Sequence, residues 1–150
     1  MSEQEVRNVA IKLLAQREHS RYELQSKLLI RKYDREAIEK VLDELSQDNL
    51  QSDVRFTQSY TRMKMQRGFG PIRIRQELHD RGIDDGLIEE CLSISLDEWI
   101  QEIIKVRNKK FGFDAPHDYD ERTKQMRFLQ YRGFTTEQIK QGMKQADENS

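Results

Sequence analysis

Ser20-Arg21-Tyr22-Glu23-Leu24-Gln25-Ser26-Lys27-Leu28 is the stretch on which the fold class turns. Ser followed three residues later by Glu is a capping box: the hydroxyl accepts an orphan amide of the first turn while the carboxylate reaches back to the cap's own N–H. Leu24 and Leu28, four apart, then share one helical face. Upstream, Val6, Ala10, Leu13 and Leu14 keep the i, i+4, i+7, i+8 spacing of a helix from Gln4 to Gln16. Downstream, Asp34 caps a third helix, with Ala37, Ile38, Val41, Leu42 and Leu45 along one side. Three short amphipathic helices make one unit.

A register shift of 50 reproduces that unit. Val6, Ala10 and Leu13 fall on Phe56, Tyr60 and Met63, and Arg17 on Arg67; Tyr22, Leu24, Leu28, Tyr33, Ile38, Val41 and Leu42 fall on Ile72, Ile74, Leu78, Ile83, Ile88, Cys91 and Leu92. Ser20 is replaced by Gly70 with Pro71 behind it, another helix-starting pair, since Pro has no N–H to leave unsatisfied at the first helical position. A further shift of 51 carries Leu78, Arg81-Gly82-Ile83, Ile88 and Leu92 onto Leu129, Arg132-Gly133-Phe134, Ile139 and Met143. The opening helix of this third copy, with Trp99, Ile103 and Val106 on one face, sits earlier and is followed by a longer loop through Gly112 and Pro116. No run alternates apolar and polar residues between turn signals, as a half-buried strand would.

The expected fold is therefore all-α: three tandem three-helix repeats over residues 1–50, 51–95 and 96–147, in an elongated, curved array. The polar stretch from Gln145 carries no periodicity, and 148–150 are expected to be a frayed tail. Composition agrees with a thin body. The 150 residues are 35% hydrophobic and 35% charged, against about 45–50% and about 25% in an average soluble domain. One Cys makes no internal disulfide, and the longest apolar runs are triplets such as Val9-Ala10-Ile11. A soluble, cytoplasmic protein with no membrane span and no export signal is expected.

The net charge of -1 conceals a segregation. From Arg55 to Arg81 seven basic residues (Arg55, Arg62, Lys64, Arg67, Arg73, Arg75, Arg81) face two acidic ones, Glu77 and Asp80, for a net +5; from Asp84 to Glu102 there are seven acids and no Lys or Arg. The first copy repeats the pattern more weakly, with Arg17, Arg21, Lys27, Arg31 and Lys32 ahead of Glu36, Glu39, Asp43 and Glu44. Each second helix is basic and each third helix acidic. At Gly68-Phe69-Gly70-Pro71-Ile72-Arg73-Ile74-Arg75 the glycines permit close approach, the helix start offers amides, and two arginines lie within the first turns. That combination suits an anion; a capped helix entry with Gly chosen for the turn is the plainer alternative. Neither the Walker pattern nor the dinucleotide-binding glycine pattern is present.

Nothing marks catalysis. His19, His79 and His117 lie in three different copies without metal-ligand spacing. Cys91 aligns with the core position Val41 and reads as a buried, unreactive thiol, and Trp99 reads as core. Tyr131, between Gln130 and Arg132-Gly133, is the one ring whose position suits outward stacking. No metal and no cofactor are expected, and the sequence argues for binding rather than chemistry.

At the middle unit Asp53-x-Arg55-Phe56, the run Arg67-Gly68-Phe69-Gly70-Pro71-Ile72-Arg73-Ile74-Arg75-Gln76-Glu77-Leu78, and Arg81-Gly82-Ile83 closely resemble the central signature of the bacterial RecX family of recombinase regulators. Arg17-Glu18-His19-Ser20-Arg21-Tyr22-Glu23-Leu24 with Lys27-Leu28 resembles the family's first repeat, and Arg127-Phe128-Leu129-Gln130-Tyr131-Arg132-Gly133-Phe134 its third. The likeness runs from Arg7 to Gln145. It implies a small cytoplasmic protein, not an enzyme, that binds RecA protein and the RecA–single-stranded DNA filament and mainly inhibits recombinase, ATPase and coprotease activities, tempering recombination and the SOS response. The partners expected on this basis are RecA, its filament and DNA directly, with the chain a monomer. The residues expected to meet the filament are Arg55, Lys64, Arg67, Gly68, Gly70, Arg73, Arg75, Arg81, Arg127 and Arg132, with the arginines of the middle unit presented outward as one surface.

Two other classes compete. Three-helix units with basic second helices also describe helix-turn-helix DNA-binding proteins, though Glu36, Glu39, Glu89 and Glu90 make the third helices poor major-groove readers. Helical repeats also serve as scaffolds for unrelated proteins.

Overall fold

A computed structural model of the chain describes residues 2–150, and among them every regular element is an α-helix. The first repeat holds α1 (Glu3–Gln16), α2 (Arg21–Ile30) and α3 (Arg35–Gln47); the second α4 (Asp53–Gln66), α5 (Pro71–Asp80) and α6 (Asp85–Cys91); the third α7 (Leu96–Phe111), α8 (Tyr119–Tyr131) and α9 (Thr136–Asn149). The helix starts follow from the capping residues. Ser20 and Glu23 form the full box, Asp34 accepts from the Ala37 amide, and at the matching positions Asp84 accepts from Leu87 and Thr135 from Gln138.

Each second helix ends alike. In the first repeat Lys32 N–H bonds to Leu29 and Tyr33 N–H to Leu28; in the second Gly82 bonds to His79 and Ile83 to Leu78; in the third Gly133 bonds to Gln130 and Phe134 to Leu129. This is the left-handed helix-terminating turn, in which the residue after the turn packs back on the helix. Ile83 and Phe134 are accordingly buried.

By compactness the chain divides into two units that do not coincide with the repeats. One reaches to Tyr60 and takes in Leu78–Ile88; the other comprises Thr61–Glu77 and Glu89–Ser150. Each contains one joint of the same design, in which the terminating turn of one second helix docks on the start of the second helix before it. In the first unit the Ser20 hydroxyl donates to the Arg81 carbonyl at 2.8 Å, and Gly82 lies so close to Tyr22 that a Cβ would stand 2.5 Å from the Tyr22 Cβ. In the second, Gly70 N–H donates to the Arg132 carbonyl at 2.8 Å and Ile72 N–H to the Gly133 carbonyl at 2.9 Å. Gly133 has φ +97°, and a Cβ there would meet Arg73 Cβ at 2.5 Å. The Arg-Gly-Ile and Arg-Gly-Phe triplets thus serve both the turn and the joint.

The core of the first unit is the expected stripe of Val6, Ala10, Leu24, Leu28, Ile38 and Leu42. In the second, α7 packs along α9 and Trp99 meets Phe134 edge-on with centroids 6.1 Å apart. Burying one such leucine or aromatic contributes about 1.5–3 kcal/mol. The final helix runs through the polar stretch from Gln145 to Asn149, because Ala146 is buried and Asp147 pairs with Arg122 at 3.0 Å. Met63 and Cys91, aligned to core positions, are half-buried; burial and the neighbouring Glu90 carboxylate push the Cys91 thiol pKa up. The long loop after α7 is pinned by Arg107, a fully buried guanidinium that donates to the carbonyl of Asp114 (2.6 Å) and the side chains of Asn108 (2.8 Å) and Gln125 (3.0 Å).

Candidate nucleic-acid interface

The ring of Phe69 is the centre of a cationic cluster in the second unit. Helix α4 closes at Gly68, whose φ of +85° turns the chain so that Phe69 N–H bonds back to the Lys64 carbonyl at 3.0 Å. The ring is thereby laid beside Lys64, and α5 begins at once, bringing Arg73 to the same ring. The 70–133 joint adds Arg132. Lys64 Nζ lies 4.5 Å, Arg73 Cζ 4.4 Å and Arg132 Cζ 4.6 Å from the ring centroid, all within cation–π range.

Charge in the cluster is not balanced. Glu77 accepts from both Lys64 (3.0 Å) and Arg73 (2.9 Å), so one carboxylate is shared by two cations. Arg132 donates instead to a neutral acceptor, the Arg67 carbonyl, at 2.9 Å, and its guanidinium also lies 5.1 Å from the centroid of Phe128. Lys110 Nζ stands 5.7 Å from that second ring, and Phe111 meets it edge-on at 5.4 Å. The Arg67 side chain is exposed. Tyr131 is 80% exposed, with Arg73 Cζ 6.0 Å from its centroid. Rings and a neutral acceptor hold the Arg132 guanidinium in place without cancelling its charge, whereas Arg73 is also paired with Glu77.

The structure separates the predicted residues. Lys64, Arg73 and Arg132 come together, with Arg67, Gly68 and Gly70 forming the turn and joint that position them. Arg75 points elsewhere: its Nε and Nη2 hold both carboxylate oxygens of Glu89 at 2.6 and 3.2 Å, which pulls the Glu89 pKa down. Arg55 is paired with Glu18 at 3.1 Å and hydrogen-bonded to Asn49 at 3.0 Å. Arg81 lies 4.9 Å over the Tyr60 ring and 3.7 Å from Glu23. Both belong to the first unit, and Arg127 is exposed on α8. Within the second unit, Arg75 is thus engaged by Glu89 while Lys64, Arg73 and Arg132 share the Phe69 ring.

A second correction concerns the α5 start. Its amides were expected to suit an anion, but Gly70 and Ile72 donate to the Arg132 and Gly133 carbonyls and Pro71 has no N–H. A Cβ on Gly70 would come within 2.5 Å of the Gly133 backbone; the glycine serves packing. Phe69, Phe128 and Lys110 were missed as candidates. Phe69 stood between two glycines of the motif, but nothing local announces a pairing with a guanidinium 63 positions away.

The first unit holds a second cluster, gathered about Glu23 and His19. Burial lowers the His19 pKa, with the Arg17 and Lys27 charges adding to it; its Nδ1 meets the Arg17 carbonyl at 3.0 Å and its Nε2 meets Lys27 Nζ at 2.8 Å. Lys27 is likewise lowered, by burial and by the Arg17 charge. Burial alone would raise Glu23, but hydrogen bonds from Arg17 (both at 3.1 Å) and from the Ser20 amide outweigh it and hold the carboxyl below its usual range.

Models of three successive domains match the chain: the first RecX three-helix domain over residues 7–45, the second over 52–92 and the third over 97–143. The chain belongs to the RecX family. It is similar to the regulatory protein RecX of Halorhodospira halophila (strain DSM 244 / SL1), with 41% identity over 96% of this chain and 89% of that one. To the regulatory protein RecX of Pseudomonas entomophila (strain L48) it is 43% identical over 89% and 86%. Its fold matches the crystal structure of RecX from Lactobacillus salivarius at a TM-score of 0.83, with 22% identity over 97% of each chain. The stretch Gly68–Arg73 together with Arg132-Gly133 builds the 70–133 joint and the cation cluster beside it. Among the described residues no helix is long and apolar enough to cross a membrane, and no group of three or more His, Cys, Asp or Glu side chains converges to hold a metal ion.

Proposed function

We propose that the chain is a non-enzymatic regulator that binds RecA protein and the RecA–single-stranded DNA filament, mainly inhibits its recombinase, ATPase and coprotease activities, and so tempers recombination and the SOS response. It acts in the cytoplasm as a monomer, without a cofactor, and meets DNA as well as protein. Family membership supports this reading, and the observation that carries it to particular residues is the Phe69 cluster.

Arg132, held by rings and a neutral acceptor beside the Glu77-paired Lys64 and Arg73, forms with Arg67 a surface that gains free energy when a polyanion replaces its mobile counterions. Stacking on Phe69 and Phe128 and the Arg132 bond to Arg67 order the guanidiniums beforehand, which lowers the entropy lost on binding. Arg67, exposed beside them, and Lys110 extend the positive surface. Arg55, Arg75 and Arg81 each lie within 4 Å of a carboxylate, as Lys64 and Arg73 do of Glu77, so the reading rests most on Arg67 and Arg132.

The test is to add substoichiometric protein to RecA hydrolysing ATP on single-stranded DNA. Slowed hydrolysis, with tighter binding to the assembled filament than to bare strand or duplex, is expected. Unchanged hydrolysis at molar excess, with equal affinity for bare DNA, contradicts the proposal.

A further inference from the structure

We propose that Tyr131 is a base-stacking residue: its ring takes an unpaired nucleobase of a single strand while Arg73 and Arg132 hold the neighbouring phosphates. This deepens the reading above and uses from it only that the cluster meets a nucleoprotein fibre.

The repeat itself supplies the argument. Tyr131 occupies the register position held by Ile30 in the first copy and Asp80 in the second. All three are exposed, Ile30 at 78% and Tyr131 at 80%. Helix packing therefore makes no demand at this position, which accepts a branched aliphatic, an acid or an aromatic. A ring here is not core that happens to show an edge, as Trp99 would be.

Its surroundings are specific. Tyr131 stands directly before the turn whose carbonyls, on Arg132 and Gly133, are both bonded to the start of α5, so its backbone is held by the joint. The described structure gives the ring one close partner, the Arg73 guanidinium at 6.0 Å from the centroid. The Arg73 cation beside an otherwise uncovered aromatic face puts a phosphate-neutralising group next to a stacking platform, and Arg132 follows it in sequence. Stacking of this kind tolerates any base but requires that the base be unpaired. The ligand class is therefore single-stranded nucleic acid, and a duplex, with its bases already stacked, gains only the arginine contacts.

The experiment compares wild type, Tyr131→Ala and Tyr131→Phe by fluorescence anisotropy at low salt. The ligands are a thymidine oligonucleotide of about fifteen residues, an abasic strand of the same length and a duplex. Tyr131→Ala is expected to weaken thymidine-strand binding by about five- to 150-fold, to leave abasic and duplex binding unchanged, and to be rescued by Tyr131→Phe. Wild-type affinity of Tyr131→Ala for the thymidine strand, an equal loss on the abasic strand, or no binding by wild type overturns the inference. Circular dichroism confirms that the variants fold. The regulator reading is judged separately, by ATP hydrolysis with wild type: it can fail while base-selective binding survives, and the reverse.

Discussion

The Gly70 N–H donates to the Arg132 carbonyl at 2.8 Å, tying the start of one second helix to the end of the next. One repeat earlier the Ser20 hydroxyl makes the corresponding contact with the Arg81 carbonyl, also at 2.8 Å. A motif that resembles an anion-binding loop in sequence is in the fold a joint between repeats. Arg81 and Arg132, which follow the exposed register positions Asp80 and Tyr131, are held by these joints through their carbonyls.

Because a Cβ on Gly70 would stand 2.5 Å from the backbone of Gly133 and Phe134, Gly70→Ala cannot be relieved by a side-chain rotation. The substitution is expected to destabilise by about 1–3 kcal/mol, read as a lower urea midpoint. An unchanged midpoint would mean that the two repeats are not in contact there.

Lys32 sits at φ 66°, in the turn where the other repeats have Gly82 and Gly133, and its side chain is exposed. A left-handed conformation costs a residue with a Cβ about 1–2 kcal/mol, part of which is offset by the extra freedom of glycine in the unfolded chain. Lys32→Gly is therefore expected to stabilise by about 0.5–1 kcal/mol, raising the thermal midpoint. A lower midpoint would show that the turn carries no strain.

His19 gives stability a pH dependence with a definite sign. Its folded pKa lies below the ordinary 6.5, so the unfolded chain takes up the proton first and the neutral folded form is favoured fully only above that value. This contribution falls as pH drops below 6.5, and Glu23, also lowered, loses its own below the ordinary 4.5. Denaturation midpoints are expected to decline from pH 7 to pH 5, with a shallower slope in His19→Gln. Parallel slopes for the two proteins would remove His19 from the account.

Helix starts and repeat length are legible in the sequence because both are local. Ser20 and Glu23 lie within one turn, and the apolar stripe from Ala37 to Leu45 repeats every three or four residues. The partners of the arginines are not legible in this way. Arg75 meets Glu89 across 14 positions and Arg132 meets Phe69 across a repeat boundary, so equal-looking basic residues end with unequal free charge. Arg107 was overlooked for the same reason: an arginine between Val106 and Asn108 reads as solvated until the loop closes over it.

The central claim is that the exposed Arg67 and the ring-held Arg132, and not the Glu89-paired Arg75, meet the filament. The direct measurement is the salt dependence of binding to preassembled RecA–single-stranded DNA filament, comparing wild type, Arg67→Gln/Arg132→Gln and Arg75→Gln. The double variant is expected to bind more weakly, with a slope of log K against log salt reduced by about 1–2, while Arg75→Gln follows wild type. A folded double variant with wild-type affinity and slope would contradict the account.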